Sequence, residues 1–223
     1  MEAATCVLCP LYTRMCASGQ SVAPRRADKR GGSHPLLEAV GLTCCYSDSG
    51  RGIEGVSLRL ERGSFAAIAG WRGAGKTTLL RALLGLLPGM EGEICWNGAL
   101  VADPARFLAP PRVAYVAQAR PGSEKALRGE LARMLESEAE LLVVDDLSAA
   151  LDAQEERMLW DALFVRRLFR RQGACLAVSN RQPALSRADR IMVLREGQVV
   201  GEGRLEELLQ TCVEMRRIWG QIR

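Results

Sequence analysis

Short apolar runs alternate along the chain with stretches whose apolar residues recur every three or four positions. The runs are typical of buried strands, and the stretches are typical of helices that bury one face. Strands are predicted near 36–43, 56–60, 65–69, 93–96, 113–117, 140–146, 175–179 and 191–194. This alternation predicts an α/β fold in which helices cover both faces of the parallel strands.

Helical spacing predicts where the helices lie. Leucines between 79 and 87 form one apolar face, and Pro88-Gly89 is expected to end that helix. A longer helix is predicted over about 152–171, and two shorter ones near 204–210 and 212–219 close the chain. Steps of four, three and four predict the core face of the long helix, which consists of Met158, Ala162, Val165 and Phe169.

The composition suits a single folded domain. The chain has 223 residues, 48% of them apolar and 25% charged, which is enough for a sizeable core. Residues 1–35 lack apolar periodicity and are expected to be a disordered tail or a misplaced start, which leaves 36–223 as the domain. We expect neither a membrane span nor a secretory signal. The net charge of +4, carried by scattered arginines, gives no reason to expect nucleic acid as a partner.

Eight cysteines occur, and three of them fall in the first segment. These are Cys6, Cys9 and Cys16, and Cys6-x-x-Cys9 could open a metal site. No second pair follows at zinc-finger spacing, and His34 is the only histidine. Free thiols in a reducing cytosol are therefore favoured over a metal site.

Residues 70–78 fit the phosphate-binding pattern G-x-x-x-x-G-K-[ST]. Glycines let successive backbone N–H groups point at phosphate oxygens, Lys76 can reach the β- and γ-phosphates, and the Thr77 hydroxyl can ligate Mg²⁺. The strand before the loop and the helix after it are the required context, and the helix N-terminus adds partial positive charge. The alternative is a glycine-rich turn that matches by chance. The predicted nucleotide-binding residues here are Gly70, Trp71, Arg72, Gly73, Ala74, Gly75, Lys76, Thr77 and Thr78.

Two positions of this loop have alternative roles. Trp71 and Arg72 occupy its variable positions, where Trp71 could simply pack and Arg72 could be a solvated charge.

Asp145 ends an apolar strand, so it is expected at the sheet edge beside the loop, where open α/β sheets place ligands. An acid at this position holds Mg²⁺, directly or through water, in proteins with such a loop.

With these motifs, residues 36–219 resemble the ATP-binding cassette (ABC) transporter ATPases. Tyr46 stands where that family keeps an aromatic side chain against adenine, and Gln118 resembles its Q-loop glutamine, which touches Mg²⁺. Residues 148–152 resemble its D-loop, and residues 188–203 resemble its last strands. The tail over 205–219 resembles an exporter-like bacterial subgroup. Tyr46 could instead be a half-buried strand tyrosine, and Gln118 an ordinary strand-end polar residue.

The resemblance implies more than the pattern alone. It implies a P-loop NTPase fold with a mixed sheet and a small antiparallel β subdomain, and it implies ATP and Mg²⁺ as ligands. The expected partners are an integral-membrane transporter subunit and a second ATP-binding cassette, as a homo- or heterodimer. The expected location is the cytoplasmic face of the membrane, as a peripheral protein.

Three departures from the family bear on catalysis. Between 119 and 140, where the family has a helical subdomain and its signature motif, this chain has room for about one helix of 15 residues. Asp146 stands where most members have a glutamate base, and Asn180 where they have a histidine that contacts the γ-phosphate. The shorter Asp146 is expected to slow the chemistry, and Asn180 cannot carry a positive charge. Asp146 could also cap the following loop, and Asn180 could be a turn residue.

Three functions follow from this sequence. The leading one is an ATP-binding subunit of an ABC transporter that hydrolyses ATP weakly, with Lys76, Asp146 and Asn180 in the catalytic roles and Thr77, Gln118 and Asp145 around Mg²⁺. The second is a degenerate nucleotide-binding module without turnover. The third is a non-functional fragment that exposes apolar surface where the helical subdomain would pack.

Overall fold

The computed structural model describes residues 34–45, 51–118, 124–148, 151–163 and 173–221, which form two sheets with helices around them. The strands are β1 (Leu37–Cys45), β2 (Gly52–Leu60), β3 (Phe65–Gly70), β4 (Glu91–Trp96), β5 (Ala99–Leu100), β6 (Val113–Val116), β7 (Leu141–Asp145), β8 (Ala174–Val178), β9 (Arg190–Arg195) and β10 (Gln198–Gly203). The helices are α1 (Lys76–Leu83), α2 (Pro104–Phe107), α3 (Glu124–Glu136), α4 (Ala153–Leu163), α5 (Gln182–Leu185), α6 (Leu205–Thr211) and α7 (Val213–Gly220). The predicted tail falls almost wholly outside these residues and stays a prediction.

The larger sheet has the strand order β10-β9-β3-β8-β7-β6. All neighbouring strands in it run parallel except β10, which pairs antiparallel with β9. Strands β3, β7 and β8 are buried along their whole length, because helices cover both faces of the sheet. The predicted α/β fold with a mixed sheet is therefore confirmed.

Alternate residues of β3 enter different cores. Ala66 and Ile68 pack with the α1 leucines and the small sheet. Phe65 packs with α3 and α4, and its ring stacks on Trp160 with centroids 4.9 Å apart. Ala67 and Ala69 pack with α6 and α7. The central strand therefore joins every layer of the molecule, and the phosphate-binding pattern begins at its end.

The smaller sheet is antiparallel, with the order β2-β1-β4-β5, and it confirms the predicted β subdomain. Asn97 and Gly98 connect β4 to β5 with φ angles of 50° and 77°, the left-handed pair that a tight hairpin turn requires. Leu37, Leu42 and Ile94 of this sheet share one core with α1. The small sheet thus fixes the position of the helix that follows the loop.

Helix α1 ends earlier than predicted. It stops at Leu83 rather than running to Pro88-Gly89, because Gly85 turns the chain with φ 69°. The Leu86 N–H donates to the Arg81 carbonyl at 2.8 Å and the Gly85 N–H to the Ala82 carbonyl at 2.9 Å, which is a Schellman closure. The apolar spacing of the leucines continues past this point and therefore did not mark the end of the helix.

Helix α3 covers the sheet edge in the interval where the family resemblance implies a missing subdomain. In the described part of that interval, α3 is followed directly by β7. Leu127, Leu131 and Met134 are buried against the sheet and α4. Arg128 pairs with Glu155 of α4 through two hydrogen bonds of 2.6 and 2.9 Å. The predicted single helix is thus present and packed.

The predicted core face of the long helix is wrong. Met158 is 65% exposed and Ala162 is half-buried, while Val165 and Phe169 lie outside the described residues. The buried residues of α4 are instead Glu156, Leu159, Trp160 and Leu163. Glu156 was overlooked as a core residue because it is charged. It is only 1% exposed, accepts a hydrogen bond from Trp160 Nε1 at 3.1 Å and pairs with Arg181 Nη1 at 2.9 Å.

The corrected face can be tested with two adjacent residues. Leu159→Ala should lower the free energy of unfolding by about 2–4 kcal/mol, because it leaves a cavity under α4. Met158→Ala should change it by less than about 0.5 kcal/mol, because its side chain faces solvent. Urea unfolding followed by circular dichroism measures both. A larger loss of stability for Met158→Ala than for Leu159→Ala would support the face predicted from the sequence instead.

Candidate functional site

The loop over 70–78 lies at the carboxyl end of β3, between β8 and β9. Gly75 is the N-cap of α1 with φ 101° and ψ 5°, so the chain enters the helix directly from a left-handed residue. A Cβ at Gly75 would lie 3.1 Å from both the Gly52 carbonyl oxygen and Ile53 Cγ2. This position therefore requires glycine for its backbone angles and for the close approach of β2.

Gly70 lies between the backbone of β9 and the side chain of Asn180. A Cβ on it would lie 2.4 Å from the carbonyl oxygen of Leu194 in β9, so no larger residue fits. Its N–H donates to Asn180 Oδ1 at 3.0 Å, and its carbonyl accepts from Asn180 Nδ2 at 2.9 Å. The amide of Asn180 therefore holds the backbone of the first loop residue at two points.

Lys76 bends back over the loop. Its Nζ donates to the carbonyl oxygens of Gly70 at 2.6 Å and Trp71 at 2.9 Å. Burial lowers the pKa of Lys76, and the negative charges of Asp146 and Asp145 act against that shift. The ammonium group is thus held beside the first two residues of the loop, where the charges of Asp145 and Asp146 act on it.

Asp145 lies beside the loop, where it is hydrogen-bonded to Thr77. The Thr77 hydroxyl donates to Asp145 Oδ1 at 3.2 Å, and Asp145 is only 1% exposed. Burial raises the pKa of Asp145, and the Thr77 hydrogen bond is the main influence in the opposite direction. A hydroxyl and a carboxylate oxygen side by side are ligands that Mg²⁺ prefers. The residues present therefore fit this ion.

Tyr115 is a site residue that sequence reasoning missed. It lies on β6 opposite Val143 of β7, and burial raises its pKa to about 12. Burial is the largest cause of this raised pKa, the charge of Asp145 acts in the same direction, and the charge of Arg81 from α1 acts against it. Both side chains therefore lie near the Tyr115 ring. An isolated tyrosine in a strand and an arginine in a helix carry no motif that would have marked them.

Asp146 has a strained backbone at the end of β7, with φ 45°. Its N–H donates to the Val178 carbonyl at 3.1 Å, and its Oδ1 accepts the Ser148 N–H at 3.0 Å. The carboxylate thus caps the following loop, which was the structural alternative for this residue. Its charge still acts on Lys76, so it also belongs to the site.

The remaining predicted positions differ in what surrounds them. Gln118 is exposed two residues after β6, Arg72 and Gly73 are exposed, and Thr78 is half-buried. Ala74 is buried, and its carbonyl accepts the Gly197 N–H at 3.0 Å from the β9–β10 turn. Tyr46 lies outside the described residues, so its predicted contact with adenine stays a prediction.

The described residues contain neither a membrane-spanning helix nor a cluster of metal-binding side chains. No helix among them is long and apolar enough to cross a bilayer. Nor do they contain a group of three or more His, Cys, Asp and Glu side chains that could hold a metal ion. The cysteines described are free thiols, namely Cys44, Cys45, Cys95, Cys175 and Cys212. The suggested Cys6–Cys9 site lies outside this part of the chain.

Comparison with known proteins places the loop in a family. The family model for ABC transporters matches residues 53–158. An aliphatic sulfonates import ATP-binding protein of Rhizobium johnstonii is 31% identical, over 69% of this chain and 75% of that protein. A mycobactin import ATP-binding/permease protein of Mycolicibacterium thermoresistibile is 27% identical, over 89% of this chain but only 43% of that protein.

The alignment with the mycobactin import protein also shows a difference in length between the two proteins. It runs over 252 positions, which exceeds the 223 residues of this chain, so the relative carries residues that this chain lacks. The fold is similar to a solved structure of a bacterial Atm1-family ABC exporter with ATP bound, at a TM-score of 0.66 and 18% identity. That match covers 87% of this chain and 43% of the exporter chain.

The buried Asp145 leads to a pH-dependent prediction. Because its pKa is raised in the folded state, the ligand-free protein should lose stability as the pH rises through that pKa. Asp145→Asn removes this cost and keeps an oxygen for Thr77. The free energy of unfolding of the variant at pH 7 should therefore exceed that of the wild-type protein by on the order of 1 kcal/mol.

The same urea titrations at lower pH provide the check. The gain should shrink as the pH approaches 3.8, the ordinary value for an aspartate. Glu136→Gln, which removes an exposed charge on α3, is the control and should leave stability nearly unchanged. A less stable Asp145→Asn protein at pH 7 would contradict the prediction.

Proposed function

Because the chain belongs to the family of ABC transporter ATP-binding proteins, we propose that it binds Mg·ATP at the loop 70–78 and energises transport through a separate membrane subunit. One observation carries this proposal. Lys76, Thr77 and Asp145 converge at the carboxyl edge of β3 and β7, beside a loop in which Gly70 and Gly75 are closely approached by neighbouring backbone. Such a loop at a helix N-terminus is an anion site, and the nearby oxygen ligands suit a cation.

Each side chain has a proposed role. Lys76 binds the β- and γ-phosphates, and the loop N–H groups, including those of Gly73 and Gly75, bind phosphate oxygens. Thr77 and Asp145 hold Mg²⁺, and Gln118 completes the set from the loop after β6. When bound, Mg²⁺ neutralises phosphate charge. Tyr46 is proposed to stack on adenine.

We propose that ATP turnover is slow. The family generally hydrolyses ATP, but this chain has only α3 in the described part of the interval where the signature motif is expected. Asp146 is one methylene shorter than the usual glutamate, and its Oδ1 already accepts the Ser148 N–H. Asn180 uses its amide oxygen and one N–H on Gly70. Transition-state charge would thus have fewer stabilising groups.

The proposed partners are an integral-membrane transporter subunit and a second cassette, at the cytoplasmic face of the membrane. This proposal is supported by the names of similar proteins. Two relatives are named for import, and the similar solved structure is named as an exporter. The mycobactin relative has both ATP-binding and permease in its name, and this chain spans 43% of it. No nucleic acid is proposed as a partner.

A second candidate is a nucleotide-binding module without turnover. It is favoured by the hydrogen bonds that occupy Asp146 and Asn180. The fragment hypothesis expects a broad exposed apolar surface. Among the described residues, the exposed large apolar side chains come from separate elements: Val40, Trp71, Leu100, Met158, Val200 and Val213. The packing of α3 also argues against it.

Nucleotide binding is tested by calorimetric titration with Mg·ATP. We expect a Kd in the micromolar to millimolar range, and we expect Lys76→Ala to abolish measurable binding because it removes the charge at the phosphates. Lys125→Ala, which removes an exposed lysine on α3, should bind like the wild-type protein. A folded wild-type protein that binds no ATP would refute both candidate functions.

Turnover separates the two candidates. If Asp146 orients the attacking water, steady-state phosphate release should be slow in the wild-type protein and lost in Asp146→Asn, while the Kd for Mg·ATP stays within about threefold. The assay should be run with and without a co-expressed membrane subunit. Equal release from both proteins would assign it to a contaminating ATPase. No release under either condition would favour the binding module.

A further inference from the structure

The indole of Trp71 is tied to the last helix of the chain. Trp71 is the second residue of the loop, and its Nε1 donates to Glu214 Oε2 of α7 at 2.9 Å. The side chain is 36% exposed, so it is not a core residue of the site. Residue 71 and residue 214 are far apart in sequence, and this hydrogen bond connects the phosphate loop directly to the C-terminal helix.

Glu214 is a fixed acceptor. Its side chain is only 8% exposed, and its Oε1 accepts from Arg195 Nη1 at 3.3 Å and from Arg217 Nη1 at 3.1 Å. Two positive charges thus contact this carboxylate and hold it in one orientation. Met215 and Ile218 of α7 are buried in the core beneath β3 and β9, so the helix that carries Glu214 is itself anchored.

The same loop residue also holds the lysine. The Trp71 carbonyl oxygen accepts from Lys76 Nζ at 2.9 Å. A hydrogen-bonded chain therefore runs from Arg195 and Arg217 through Glu214 and the Trp71 indole to the Trp71 peptide and Lys76. Trp71 is thus held by Glu214 through its side chain and holds Lys76 through its backbone carbonyl.

We propose that Trp71 and Glu214 are positioning residues for Lys76, so that the C-terminal helix sets the nucleotide affinity of the loop. This inference rests on the proposed function, because it concerns the same phosphate site. Packing alone does not account for this side chain, because Trp71 is partly exposed and its one polar atom is hydrogen-bonded to Glu214. The contact acts through a charge-assisted hydrogen bond, which is among the stronger kinds.

The test is a double-mutant cycle on binding. Trp71→Phe keeps the ring and removes the N–H, and Glu214→Ala removes the acceptor. Each should weaken Mg·ATP and Mg·ADP binding by about five- to tenfold in calorimetric titrations. The double variant should bind no more weakly than the weaker single variant, because both changes break one interaction. Such coupling in affinity would not arise from a general loss of structure.

Control substitutions on the two C-terminal helices set the baseline. Trp219→Phe makes the same change on α7, and Glu206→Ala removes an exposed carboxylate from α6. Both should leave the Kd within about twofold, and circular dichroism melts should show every variant folded. Single variants that bind like the wild-type protein, or losses that multiply in the double variant, would overturn the inference. A wild-type protein that binds no nucleotide would instead refute the proposed function, and this inference with it.

Discussion

The peptide of Gly70 is the tightest constraint on the site. Its N–H and carbonyl are both bonded to the Asn180 amide, Lys76 donates to the same carbonyl, and the Leu194 backbone leaves no room for a side chain. A buried peptide with both polar groups satisfied has little freedom to move. The path of the loop and the direction in which α1 leaves it follow from this one position.

The groups that fix the loop come from the C-terminal third of the chain. Asn180 follows β8, Leu194 lies on β9, Gly197 is in the next turn, and Glu214 is on α7. All of them lie outside residues 53–158, which the family model matches. The motif supplies the groups aimed at phosphate, while the strands and helix after it hold that motif in shape.

This arrangement has a cost in stability. Asp145 and Lys76 are both buried enough that desolvation disfavours their charged forms. Asp145 and Lys76 beside the Thr77 hydroxyl suit a site that binds an anion and a cation. The bound charges would offset the desolvation of these two side chains. The proposal of slow turnover rests on a different feature. Asp146 and Asn180 make hydrogen bonds within the protein, and these would compete with contacts to the γ-phosphate.

The sequence predicted the fold well where the pattern was local. Runs such as 141–145 and 174–178 are apolar on both faces, and they form buried parallel strands as expected. The face of α4 was wrong because apolar periodicity ignores a charged residue such as Glu156, which is buried with Arg181 as its partner. For the site, the apolar run that ends in Asp145 predicted this residue beside the loop, where it accepts a hydrogen bond from Thr77.

Long-range contacts explain what the sequence could not predict in the site. The bonds from Asn180 to Gly70 and from Trp71 to Glu214 span more than a hundred residues and follow no spacing rule. Tyr115 near Asp145 depends likewise on strand register. Such pairs become visible only when the sheet brings distant segments to one edge.

The central claim is that this chain holds Mg·ATP and hydrolyses it slowly. Phosphorus NMR of Mg·ATP mixed with an equal concentration of protein reports binding and chemistry in one sample. The account predicts shifted or broadened β- and γ-phosphate resonances that persist for many minutes before inorganic phosphate accumulates. An unchanged ATP spectrum would contradict binding, and complete conversion to ADP and phosphate within seconds would contradict slow turnover.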